Sequence, residues 1–161
     1  MRRARLLLSM GRMILILAVC LSACSTGPSP ETDPGTAAAE TEEVYRILIA
    51  GLEARGFKVD EEDVEEDILE GQRRMLILDG GERLWPYLYE DGAEMEKDAA
   101  FITSGGLTYD NGSRALKIQW VSDPHFFKSG NMILLYVGVD QDILHALEEI
   151  MGTQFAGIRS R

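Results

Sequence analysis

Between positions 120 and 128 the chain reads Trp120-Val121-Ser122-Asp123-Pro124-His125-Phe126-Phe127-Lys128. A titratable imidazole, a carboxylate, an ammonium and three large aromatic rings thus stand within one short run. Pro124 holds the residue before it in an extended backbone, so the spacing predicts a strand ending at Asp123 and a loop beyond it. Loops fixed by a rigid scaffold are where binding groups concentrate. The chemistry on offer is that of a ligand pocket. His125 would hydrogen-bond or titrate, Trp120, Phe126 and Phe127 would form apolar walls, and Lys128 would meet an anionic group. The same residues also have a packing reading, in which Asp123 and His125 satisfy the turn backbone and the Phe pair fills the core. Packed aromatics beside a turn are common, and a single His rarely makes a site. Ser122, three residues before His125, is too little to name a nucleophile and base.

Elsewhere the reactive inventory is thin. His145 falls off the apolar face of the last helical pattern and reads as exposed. Zinc catalysis needs at least three protein ligands, and two His without neighbouring Cys would have to recruit carboxylates, so no metal or other cofactor is expected. Residues 60–70 hold eight acids, Asp60, Glu61, Glu62, Asp63, Glu65, Glu66, Asp67 and Glu70. Carboxylates suit Ca²⁺, but the Asp-x-Asp-x-Asp-Gly pattern is missing and such blocks are usually solvated surface. No phosphate loop, Gly-x-Ser-x-Gly elbow or His-Glu-x-x-His is present. The net charge of −11 over 161 residues argues against a nucleic-acid partner, because a phosphate backbone is bound by neutralising cations.

The two cysteines, Cys20 and Cys24, belong to the first 24 residues. Arg2, Arg3 and Arg5 open the chain, an apolar stretch runs from Leu6 to Leu21, and small residues follow. That is the layout of a secretory signal peptide, and it is too short and broken to span a bilayer comfortably. Leu21-Ser22-Ala23-Cys24 resembles the lipobox of bacterial lipoproteins. The resemblance implies cleavage of residues 1–23 and a diacylglycerol thioether on Cys24, anchoring the protein to a membrane through its acyl chains with the domain on the extracytoplasmic side. Cleavage removes four Arg and no acid, taking the net charge from −11 to −15. It leaves no thiol for a disulfide, a metal or a nucleophile. Residues 24–42 carry Pro28, Pro30, Pro34, Gly27, Gly35 and almost nothing large and apolar. They read as a lipid-anchored flexible tether reaching on the order of 20–25 Å.

Residues 43–158 then form a single globular domain. Val44, Ile47, Leu48 and Leu52 recur at helical spacing. Gln72–Leu78 and Arg83–Tyr89 read as strands around the turn Asp79-Gly80-Gly81, with Pro86 pushing the second toward an edge or a bulge. Asp91 and Glu94 have capping-box spacing, predicting a helix over 92–102. Leu107–Tyr109 and Leu116–Trp120 flank Asp110-Asn111-Gly112 as a hairpin. Met132–Val137 has no polar residue and reads as a central strand. Ile143, Leu144, Leu147, Ile150 and Met151 define a last helix ending at Gly152. The fold class expected is α+β, one mostly antiparallel sheet with about three helices packed on it.

The stretch Ile118–Gly157 resembles a group of small bacterial lipoproteins and secreted proteins of unknown function. The resemblance rests on the run from Trp120 to Lys128, on Leu135-Tyr136-Val137-Gly138-Val139-Asp140 and on Gly152-Thr153-Gln154-Phe155-Ala156-Gly157. Tyr89-Glu90-Asp91 and Met95-Glu96-Lys97-Asp98-Ala99 also belong to it, and about 90 residues are covered. It implies lipid anchoring and an extracytoplasmic domain, and it supplies no catalytic residues. Two functions are therefore weighed. The favoured one is a non-enzymatic binding or accessory module for a protein, peptide or small molecule. The alternative is a small hydrolase or metal-assisted enzyme using His125, which requires an open cleft with a second His or acid beside it.

Overall fold

In the computed structural model, residues 34–64 and 68–159 are described, so the leader, Cys24 and Glu65–Asp67 lie outside the described residues. The elements run in chain order α1 (Pro34–Glu53), β1 (Val59–Asp63), β2 (Gln72–Leu78), β3 (Arg83–Leu88), α2 (Gly92–Ala99), β4 (Thr108–Asp110), β5 (Ala115–Lys117), β6 (Pro124–Ser129), β7 (Met132–Val137), α3 (Gln141–Met151) and β8 (Ala156–Gly157). Six strands form an antiparallel sheet in the order β1-β2-β3-β7-β6-β8, and β4-β5 is a separate two-stranded sheet. The fold is α+β.

Alternation along each strand sorts the side chains into two cores. On the first face Leu76, Leu84, Leu134, Tyr136 and Phe127 pack against Leu48 and Leu52 of α1 and against Ile143 and Leu147 of α3. On the second face Tyr87, Ile133, Leu135 and Phe126 pack against Met95 and Ala99 of α2 and against Tyr109 of the small hairpin. Met132–Tyr136 is buried throughout, as a strand covered on both faces must be.

Three expectations are corrected. The helix expected within the domain begins earlier, at Pro34, so residues 34–42 are its first turns and not tether. Alanine is the best helix former, and Thr41 is buried, donating through Oγ1 to the Tyr89 carbonyl at 2.7 Å. The buried stripe runs Thr41-Tyr45-Leu48-Leu52, while Ile47, expected inside, is 53% exposed. Pro86 sits in an interior strand, neither at an edge nor in a bulge. Its missing N–H is accommodated by a gap in the β2–β3 ladder: Arg73 pairs Tyr87 and Leu76 pairs Leu84, with no pairing recorded between. The β7 side of the strand stays continuous, with Pro86 opposite Leu134. Asp60–Asp63 agrees with the surface reading of the acidic run: it forms an edge strand with its four acids exposed. Charge along an edge discourages further strand pairing.

Candidate functional site

From Pro124 on, the run is a strand, not a loop, and that decides the fate of its residues. β6 begins at Pro124 and pairs with β7 and β8, so successive side chains leave on opposite faces. Phe127 joins the first core and Phe126 the second. They therefore share no pocket wall.

His125 is 1% exposed. Its Nδ1 lies 2.9 Å from Gln154 Oε1 and its Nε2 lies 3.0 Å from the Gly138 carbonyl. The Gln154 amide is oriented by its own donation to the Ile158 carbonyl at 3.2 Å. The ring stacks on Tyr136, centroids 5.9 Å apart. The imidazole thus ties the exits of β7 and α3 to β6, and the packing reading describes it. Asp123 uses its carbonyl to accept from Gly138 N at 3.0 Å. Lys128 is ion-paired with Glu96 and lies 5.4 Å from the Phe155 ring centroid, so it is not held ready for an external anion. His145 is exposed and faces Glu149 at 3.4 Å.

Trp120 alone among the expected site residues lines an open groove. Its indole Nε1 donates to the Gly106 carbonyl at 2.7 Å and its ring stands edge-on to Phe126 at 6.1 Å. The groove, about 470 Å³, lies on the second face of the sheet. Arg73, Trp85, Leu135 and Val137 supply the sheet side, and residues 116–121 supply the other. Trp85 is opposite Leu135 in the β3–β7 register. The Arg73 guanidinium sits 5.9 Å from the Trp85 ring centroid, a cation–π distance. Both tryptophans of the chain meet here. Among the described residues that line the groove, Arg73 and Lys117 are the charged ones. An aromatic-walled, partly apolar cleft with a few cations is what binds a ligand by surface burial and orients it by charge.

Sequence reasoning missed Trp85 and Arg73. The available signal was period two: Trp85 is opposite Leu135, and Arg73 is opposite Tyr87, two residues along β3 from Trp85 and so on the same face. It was unreadable without the strand order.

A second cluster also went unseen. Asp98 of α2, 3% exposed, accepts from Tyr89 Oη and Tyr109 Oη at 2.6 Å each and from Glu70 N at 2.8 Å. Burial first, and then the Asp98 carboxylate, push both phenols well above the ordinary tyrosine range. Each polar atom named is satisfied by another, so the cluster is a clasp joining α2, β4 and the chain before β2. Among the described residues no group of three His, Cys, Asp or Glu is arranged to hold a metal ion, and no helix is long and apolar enough to cross a membrane. Comparison with protein-family models, with curated proteins and with solved structures gives no match.

Proposed function

We propose that the protein is a lipid-anchored, extracytoplasmic binding module whose ligand site is the Trp85–Trp120 groove. The observation that carries the binding reading is the convergence of both indoles on one open cleft, with Arg73 and Lys117 beside them in a strongly acidic molecule. The membrane anchor rests on the lipobox at Leu21–Cys24. The binding reading is preferred to a hydrolase because both His125 nitrogens are engaged inside the protein. Val121, 99% exposed at the groove rim, offers a test. A benzophenone amino acid placed there in cells should give ultraviolet-dependent adducts in the membrane fraction. The same group at Ile47, exposed on α1, should not. Equal adducts at both positions, or none at Val121, would refute the groove as the binding site.

A further inference from the structure

We infer that His125 works as a proton-operated latch: a second ring proton closes the contact between β6 and the chain end at 154–158, and loss of that proton loosens it. The latch is independent of the groove. Four polar groups form a row, the Gly138 carbonyl, the His125 ring, the Gln154 amide and the Ile158 carbonyl, with successive contacts of 3.0, 2.9 and 3.2 Å. Both ends are carbonyls, which only accept. The two groups between them must therefore present a donor at each end, and a donor against an acceptor in the middle. That makes three donors and one acceptor. Whichever way the amide is turned it presents one of each, and so does a neutral imidazole. The row is then one donor short, and somewhere two lone pairs face each other. His125 and Gln154 are 1% and 6% exposed, so water has little access to repair the mismatch. The imidazolium, with N–H on both nitrogens, completes the row through charge-assisted bonds.

The surroundings favour that charge. Asp123 lies two residues before the ring, and Lys128, farther along β6, is already paired with Glu96. From β7, Tyr136 stacks on the ring, and its hydroxyl meets Glu82 at 3.1 Å and the Asp140 amide at 3.2 Å. Beyond Gln154, His145, Glu148 and Arg159 line a cavity of about 350 Å³. The acids Asp123, Glu82, Asp140 and Glu148 thus outnumber the free cations, and nearby negative charge favours a cation. What the latch holds is β8, a two-residue strand that pairs with β6 alone and ends the sheet. Its remaining backbone hold is three bonds, from Phe155, Gly157 and Ile158 N to the Phe126, Ser104 and Pro124 carbonyls, at 2.9 Å each. The closed latch binds the proton more firmly than the open one, so acid tightens β8 and rising pH frees it.

The test is NMR of the full-length protein in detergent, labelled with nitrogen-15 histidine and carrying His145→Gln to leave one imidazole. Two protonated ring nitrogens are expected at pH 5 and one at pH 8. Over that range the exchange protection of the Gly157 and Ile158 amides, corrected for intrinsic rates, should fall about fivefold, the worth of one hydrogen bond. Gln154→Glu should move that fall to a pH about one unit higher. Gln154→Met, which ends the row at the ring, should remove it. A ring that keeps one protonation state from pH 5 to 8 would overturn the latch. So would a ring that titrates while protection at 157 and 158 stays level. An unmoved midpoint in Gln154→Glu, or an undiminished fall in Gln154→Met, would do the same.

Discussion

Asp98 has more riding on it than any other side chain of the second core. Truncation would leave two buried phenols and one backbone donor without their acceptor, and unsatisfied buried groups cost about 1–3 kcal/mol each. Asp98→Ala should therefore destabilise by roughly 3 kcal/mol or more in urea unfolding, and Asp98→Asn, which keeps one carbonyl oxygen, by distinctly less. The phenols add a pH signature. Their folded-state values are raised above the ordinary tyrosine value near 10. Stability from them is thus complete below pH 10 and falls as pH rises, because the unfolded chain releases those protons first. The slope is up to about 1.4 kcal/mol per pH unit for each tyrosine. Urea midpoints between pH 9 and 11 should fall in the native protein, and the fall should be smaller for a Tyr109→Phe variant. Nothing in the sequence announced this cluster. Tyr89 and Tyr109 lie nine and eleven positions from Asp98, and an aspartate on a short charged helix looks like surface. His125 shows the converse. Its residue type drew attention, but whether an imidazole is a site or a tie depends on the acceptors around it, and Gln154 and Gly138 come from distant chain.

At the scale of elements, the apolar runs were legible and the boundaries were not. Met132–Val137 declared itself as an unbroken run of aliphatic and aromatic residues, and it is an interior strand of the sheet, buried from Met132 to Tyr136. Residues 34–42 hid a helix behind a linker-like composition, because proline and small residues suggest a tether although Pro34 at a helix start forfeits no hydrogen bond. That difference can be measured. A chain beginning at Pro34 should unfold at the same midpoint as the full protein, whereas one beginning at Glu43 loses the Thr41–Tyr89 bond and the Glu42–Arg74 pair. The shorter chain should lose about 1–3 kcal/mol in denaturant unfolding. Equal midpoints for both would place the start of the fold at 43 after all. Pro86 was misjudged for a related reason. The rule against proline in a central strand concerns ladder bonds, and a gap of two residue pairs on the β2 side is tolerated when the β7 side is whole. Gly157 is a simpler case. At φ +108, with an added Cβ falling 2.0 Å from the Pro124 carbonyl, Gly157→Ala should cost about 1–3 kcal/mol or more and loosen β8 from β6. Proteolysis near the C-terminus would show it.

For the whole molecule, the expected outcome is a protein that fractionates with membranes only while Cys24 is present. Mass spectrometry of the membrane-bound form should find residues 1–23 gone and Cys24 acylated, and Cys24→Ser should release the precursor from that processing. An intact N-terminus at Met1 would sink the assignment. The early start of α1 gives the proposed anchor a consequence. Only residues 25–33 separate Cys24 from Pro34, and whatever their conformation they bridge at most about 35 Å. A leash that short makes capture a problem of reach. If Cys24 is the anchor, a membrane-bound partner would meet the groove at a local concentration far above its bulk value, and the leash would limit how far above the membrane such a partner could lie. Weak intrinsic affinity would then suffice for a neighbour on the same membrane. Lengthening the leash, with the groove untouched, would retune which neighbours it holds.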